Sequence, residues 1–238
     1  MTFRTVFLLA SALLVTGCGG DGGGAPTTPP AATTAPSAPA PIPETATYVF
    51  VYEPRISGNP IAIALGAMPL PEGVDLVPSA ALIAHPPGEA PWEEGGFLSA
   101  EMRAFAATGD ATVLTNAAES RGHQVIATTN DQVGALLLRP VLDLTLENPC
   151  VSHASKLAPS PDWFIGFSEI CTLDDTGSWL DEVTFTMVAY DAGIAEGSEW
   201  VPTDQVPETD PPEPVAELDI EPFSPAGTPV AIITATLR

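Results

Sequence analysis

The chain has 238 residues, with 30 acidic against seven basic side chains, a formal charge of −23 and 27 prolines. Such acidity excludes nucleic acid as a partner, because no basic patch exists to release counterions from phosphate, and it excludes unaided docking on anionic lipid. Beyond the N-terminal segments, about 190 residues remain, enough for one domain with a substantial core.

The first 17 residues carry Arg4 and an apolar run from Val6 to Val15, and Leu14-Val15-Thr16-Gly17 lead into Cys18. This reads as a short signal peptide over residues 1–17, closed by a lipobox whose Cys18 is lipidated after cleavage. The run is too short to persist as a membrane span. Losing Arg4 leaves six bases against 30 acids. Residues 18–45 are mainly Gly, Pro, Ala, Thr and Ser. They cannot bury enough surface to offset their ordering entropy, so a disordered, proline-stiffened tether is predicted. The expected arrangement is a bacterial envelope lipoprotein, at the outer membrane or cell surface, with its membrane contact through Cys18 and its folded domain over 46–238.

Within that domain, Thr47 to Ile56 alternates in Tyr, Val and Phe, which predicts a strand, and Pro60 to Leu65 predicts a short second one. Leu82 to His85 is brief and apolar. In Phe97 to Ala106, Leu98, Met102 and Phe105 share one face, predicting a helix that ends at Gly109. Strands follow at 124–128, 141–146, 151–157, 163–173, 183–190 and 229–237. Val141 to Leu146 alternates cleanly, with Leu142, Leu144 and Leu146 on one face. Many short strands punctuated by Pro and Gly predict an all-β fold, an antiparallel β-sandwich with one short helix. The stretch from Val201 to Glu221 holds seven acids, five prolines and no base. A loop of that length is either solvated or functional, and it is a candidate contributor to a cation site.

The most informative segment is Leu157-Ala-Pro-Ser-Pro-Asp-Trp-Phe-Ile-Gly166. Its Pro-Ser-Pro turn places Asp162 at a loop–strand junction, where a carboxylate costs desolvation energy unless something positive meets it. With so few bases, a bound cation is one partner; an aspartate capping its own turn is the other reading. Trp163 and Phe164 are expected in the core, and Trp179 as a turn anchor. Cys150 and Cys171 flank the segment, 21 residues apart. In an exported protein a disulfide is the default, and a loop of that size contributes about 3 kcal/mol. A reactive thiol is the alternative, but no histidine lies at a telling distance.

Pro159-Ser160-Pro161-Asp162-Trp163-Phe164-Ile165-Gly166, then Trp179, then Tyr190-Asp191-Ala192-Gly193, resembles the spondin N-terminal domain family. Ala80 to His85 and Gly96 to Asp110 resemble, more loosely, that family's apolar stretch ending in His and its small-residue helix. The resemblance implies a β-sandwich that binds calcium and serves extracellular adhesion, with an extracellular protein or glycan as partner. It also implies the ligands. Asp162 and Asp191 match two of the family's three aspartates, whereas Ala195 occupies the third position and Glu196 lies one residue on. Glu196 is therefore the third expected ligand, with Glu169, Asp174, Asp175 and Glu199 as other nearby acids. Two carboxylates alone predict weak binding, near extracellular calcium concentrations.

His85, His123 and His153 show no metal-ligand spacing and are expected as hydrogen-bonded histidines. No Gly-x-Ser-x-Gly elbow or Gly-rich phosphate loop is seen in the folded part, so no enzymatic activity is expected. An enzyme or solute-binding lipoprotein on the same scaffold is the competing class, which a deep apolar pocket with convergent polar groups would favour. A purely structural envelope protein is a third.

Overall fold

A computed structural model describes residues 41–129 and 139–238. Cys18, the signal peptide and most of the predicted tether lie outside the described residues. The first strand, β1 (Thr45–Pro54), leads to a two-residue parallel pair, β2 (Ile56–Ser57) and β3 (Met68–Pro69), which flank helix α1 (Pro60–Ala64). Then come β4 (Asp75–His85), helices α2 (Ala100–Thr108) and α3 (Ala111–Ser120), and β5 (Gln124–Thr129). The remainder is β6 (Val141–Thr145), β7 (Cys150–Ala158), β8 (Phe164–Cys171), β9 (Glu182–Asp191), β10 (Ala216–Glu217) and β11 (Ala231–Leu237).

The main sheet is antiparallel throughout, in the order β5-β4-β7-β8-β9-β11-β1-β6, with β10 added to the end of β9. Three strands separate β7 from β1 along this path, yet the Tyr52 hydroxyl on β1 lies 3.3 Å from His153 Nδ1 on β7. The sheet therefore curls until its two halves face each other. One apolar cluster fills the space between them, joining Tyr48 and Phe50 of β1, Leu142 and Leu144 of β6, Leu82 of β4, and Ile165 and Phe167 of β8. The predicted alternation holds within β6, where Leu142 and Leu144 are buried while Val141 and Asp143 face solvent; Leu146, expected on the same face, lies past the strand end and is exposed.

A second cluster lies on the outer face of the β4–β7–β8–β9 half, where Met102, Phe105, Leu114 and Ala118 of the helices meet Ile83, Ala154, Phe164 and Val188. Being covered on both faces, β7 is buried almost end to end and shows no alternation.

The fold is mostly β, as predicted, with three short helices where one was expected. The stretch Pro60–Leu65 is not a strand. Asn59 caps a helix there, its Oδ1 accepting the Ile61 N–H at 2.7 Å, and Pro60 occupies the first turn where its missing N–H is harmless. Similarly, Asp110 accepts the Thr112 N–H at 2.8 Å and starts α3, whose Ala111, Leu114, Thr115 and Ala118 form the buried face. The Gly-Asp pair thus ends one helix and begins the next. The acidic 201–221 segment carries a 3-10 turn at Thr203–Gln205 and β10.

Candidate functional site

Cys150 and Cys171 are register partners on β7 and β8 and form a disulfide, with their Cα atoms 3.9 Å apart. It clamps the open end of a hairpin whose closed end is the Pro-Ser-Pro-Asp turn. That turn is held from within. The Ser160 hydroxyl donates to the Leu157 carbonyl at 2.6 Å and accepts the Trp163 N–H at 3.2 Å, and the Leu157 N–H donates to the Trp163 carbonyl at 3.0 Å. At the far side of the motif, a Cβ on Gly166 would lie 2.3 Å from the His153 carbonyl and 2.9 Å from the Trp92 ring, so the strands approach closely only with glycine there.

Strand pairing brings the two predicted aspartates together. β8 and β9 pair with Phe164 opposite Tyr190, so Asp162, just before β8, and Asp191, closing β9, meet at the same sheet end. Asp162 is fully buried. Its Oδ2 accepts the backbone N–H groups of Ile194 at 2.7 Å and Ala195 at 3.1 Å, while its Oδ1 is buried with no hydrogen-bond partner. Burial first, and then the neighbouring charge of Asp191, pushes its carboxyl up to about 6. Asp191 uses both oxygens: Oδ1 accepts the Gly193 N–H at 2.8 Å and Oδ2 accepts the Trp163 indole N–H at 3.2 Å. Its carboxyl is also raised, by burial and by the charge of Glu213.

Glu213 was not among the residues predicted from sequence. It belongs to the acidic segment, and its backbone N–H donates to the Gly193 carbonyl at 2.8 Å. Gly193 has φ of 68°, and a Cβ on it would lie 2.3 Å from the Glu213 carbonyl, so this contact requires glycine twice over. Asp191 and Glu213 line a cavity of about 260 Å³ together with Glu217 and Asp219. The only sequence signal for Glu213 was the density of acids between Val201 and Glu221.

Glu196 sits differently. Its backbone N–H donates to the Pro207 carbonyl at 2.8 Å and its side chain is exposed, outside that cavity lining. Ala195 is buried, and its N–H rather than a side chain serves Asp162. Among the described residues, no three His, Cys, Asp or Glu side chains are grouped closely enough to hold an ion by themselves. Trp163 is fully buried, edge-on to Trp200 at 4.9 Å, so it is a core residue that also positions Asp191. Trp179 anchors the start of the domain, its indole N–H donating to the Pro43 carbonyl at 2.8 Å.

The three histidines are buried and partnered. His85 Nε2 lies 2.8 Å from the Ser152 hydroxyl, His123 Nε2 is 3.2 Å from Glu89 Oε2, and His153 Nδ1 meets Tyr52. Lys156, on the other side of the Asp162 turn, also went unnoticed in sequence. It is buried, its Nζ donates to the Ala106 carbonyl at 2.6 Å, and it borders a cleft of about 910 Å³.

These features define a class: a disulfide-clamped antiparallel sandwich with a buried and a half-buried aspartate at one sheet end, beside an acid-lined cavity. The Spondin_N family model matches residues 81–228, more than half of the chain, and the chain belongs to that family. It is similar to Spondin-2 of Rattus norvegicus and to Spondin-2 of Homo sapiens, in each case 28% identical over 120 residues. That similarity takes in 48% of this chain and 36% of either relative, so little more than a third of each relative's length is matched.

Proposed function

We propose that this protein is a surface-anchored recognition or adhesion module of the bacterial envelope, tied to the membrane through Cys18 and stabilised by calcium. One observation carries the ion: the fully buried Asp162, with Oδ1 left without a partner, faces the charge of Asp191. A buried carboxylate and a half-buried one that repel each other fit a divalent cation. Asp162 and Asp191 would hold it, with Glu213, whose charge acts on Asp191, as a further acid and carbonyl oxygens or water completing the set. The ion would supply positive charge that neutralises the pair and ties the β7–β8 turn to the 191–196 segment. Hard oxygen donors at the pair favour calcium over zinc or copper. The partner is an extracellular protein or glycan, and the module performs no catalysis.

The test is thermal unfolding of the purified protein in chelator and in millimolar calcium. Binding to the folded state alone raises the melting temperature, and Asp162→Asn abolishes the rise. An unchanged calcium response in Asp162→Asn removes the site from consideration. A second reading, a solute-binding lipoprotein on the same scaffold, has one observation in its favour: the 910 Å³ cleft beside Lys156.

A further inference from the structure

Lys156 is the only lysine in the chain; the other six bases are arginines. It stands where lysine is least expected, buried on β7 between α2 and the Pro-Ser-Pro turn. Its ammonium bonds the Ala106 carbonyl at 2.6 Å and the Ser160 carbonyl more distantly at 3.4 Å. Ala106 belongs to the last turn of α2, so one role is to satisfy a carbonyl at that helix end. Two carbonyls do not use its three hydrogens, and among the described residues no carboxylate lies within ion-pair distance of Nζ. The charge acting on it is the more distant Asp162, and Asp75, Asp204 and Glu208 line the same cleft.

The cleft itself is built mainly of apolar groups, with Leu76 and Val77 of β4, Ala107 of α2 and Val206 of the acidic segment along its walls. Its volume of about 910 Å³ suits a small organic molecule. Thr203 closes one side, its hydroxyl lying between the Pro161 and Ala107 carbonyls, which share its one hydrogen. The walls therefore come from two strands, a helix end and a pinned 3-10 turn. Since acids outnumber the single amine around the cleft, a ligand anion has little to gain there, and a neutral ligand fits the balance of charge better.

We infer that this cleft captures a small, neutral, apolar aldehyde or ketone, with Lys156 Nζ as its covalent anchor. Nζ attacks the carbonyl carbon in its uncharged form, a C–N bond forms, and the carbonyl oxygen leaves as water with both amine hydrogens. The product is an imine, and the step needs no oxidant or reductant. Desolvation in the apolar wall favours the uncharged amine that the attack requires, pulling Lys156 down to about 8 against the opposing effect of Asp162. The site does not require the proposed ion, although the charge of Asp162 acts on the same amine.

Hexanal serves as the probe, added with cyanoborohydride to the full mature chain at neutral pH, and the products are mapped by peptide mass spectrometry. The expected result is a hexyl adduct on the Lys156 side chain, counted apart from any adduct on an α-amine and formed roughly 10-fold or more faster than on an acetyl-lysine amide in the same solution. Lys156→Arg, which can still reach the Ala106 carbonyl, gives no adduct at an unchanged melting temperature. Val206→Trp fills the cleft and slows the reaction about as much while leaving the amine in place. Because there is a single lysine, 15Nζ labelling yields one side-chain resonance, and hexanal without reductant shifts it. The inference is overturned if Lys156 reacts no faster than the free amide, if Val206→Trp leaves the rate unchanged, or if hexanoate binds as tightly as hexanal and the 15Nζ resonance reports no imine.

Discussion

Asp162→Asn stabilises the calcium-free chain and removes its response to calcium. In chelator at pH 7 the wild-type chain carries a buried carboxylate whose pKa is raised from 3.8 to about 6. A raised folded-state value means the native state binds the proton more tightly than the unfolded chain, so stability falls as pH rises between the two values. A shift of about two units corresponds to about 3 kcal/mol of lost stability above pH 6. Asparagine removes that penalty while keeping an oxygen to accept the Ile194 and Ala195 N–H groups. Those bonds weaken on losing the charge, by about 1 kcal/mol. The net expectation is a chelated variant more stable than wild type by about 1–2 kcal/mol, or roughly 2–8 °C in Tm for a domain of this size. Calcium at about 10-fold to 100-fold over its dissociation constant then stabilises wild type by about 1.4–2.7 kcal/mol and leaves the variant unmoved. Urea and thermal melts from pH 4 to 8, with chelator or calcium, read all of this. A chelated variant less stable than wild type at pH 7, with a calcium response intact, would refute the reasoning.

Glu213→Gln should weaken calcium binding about 10-fold, since it removes the acid whose charge reaches Asp191, whereas Glu196→Gln should leave it unchanged; calorimetric titration distinguishes the two. Gly193→Ala should destabilise by more than about 2 kcal/mol in urea melts and blunt the calcium response, because its Cβ would lie 2.3 Å from the Glu213 carbonyl at a positive φ. Replacing both Cys150 and Cys171 by Ala should lower unfolding free energy by about 3 kcal/mol, given the 21-residue separation of the bridge.

Much of the fold was legible where a strand has one wet face. The alternation of Leu142 and Leu144 with Val141 and Asp143 reports a half-buried strand directly. Legibility failed where local capping overrides composition. Ile61 and Ile63 look like strand residues, but Asn59 and Pro60 set helical geometry before them, and neither isoleucine needs burial to hold it. The helix α3 is hidden because its buried positions are mostly small: Ala111, Thr115 and Ala118 carry little hydrophobic signal. Asp162 and Asp191 were legible through their motifs, and strand pairing between β8 and β9 brings them together. Glu213 reaches the same place through a long loop, and no sequence spacing encodes that approach. Lys156 was legible only in hindsight: a single lysine on a strand buried on both faces marks an amine with an unusual environment.

The aspartate pair meets its most direct test in a crystal structure grown with calcium, with the ion identified by its anomalous signal. An ion bound by oxygens of both Asp162 and Asp191 at about 2.3–2.6 Å is the predicted result. Well-ordered carboxyls at Asp162 and Asp191 with no ion between them, or an ion held elsewhere on the acidic surface, would contradict it.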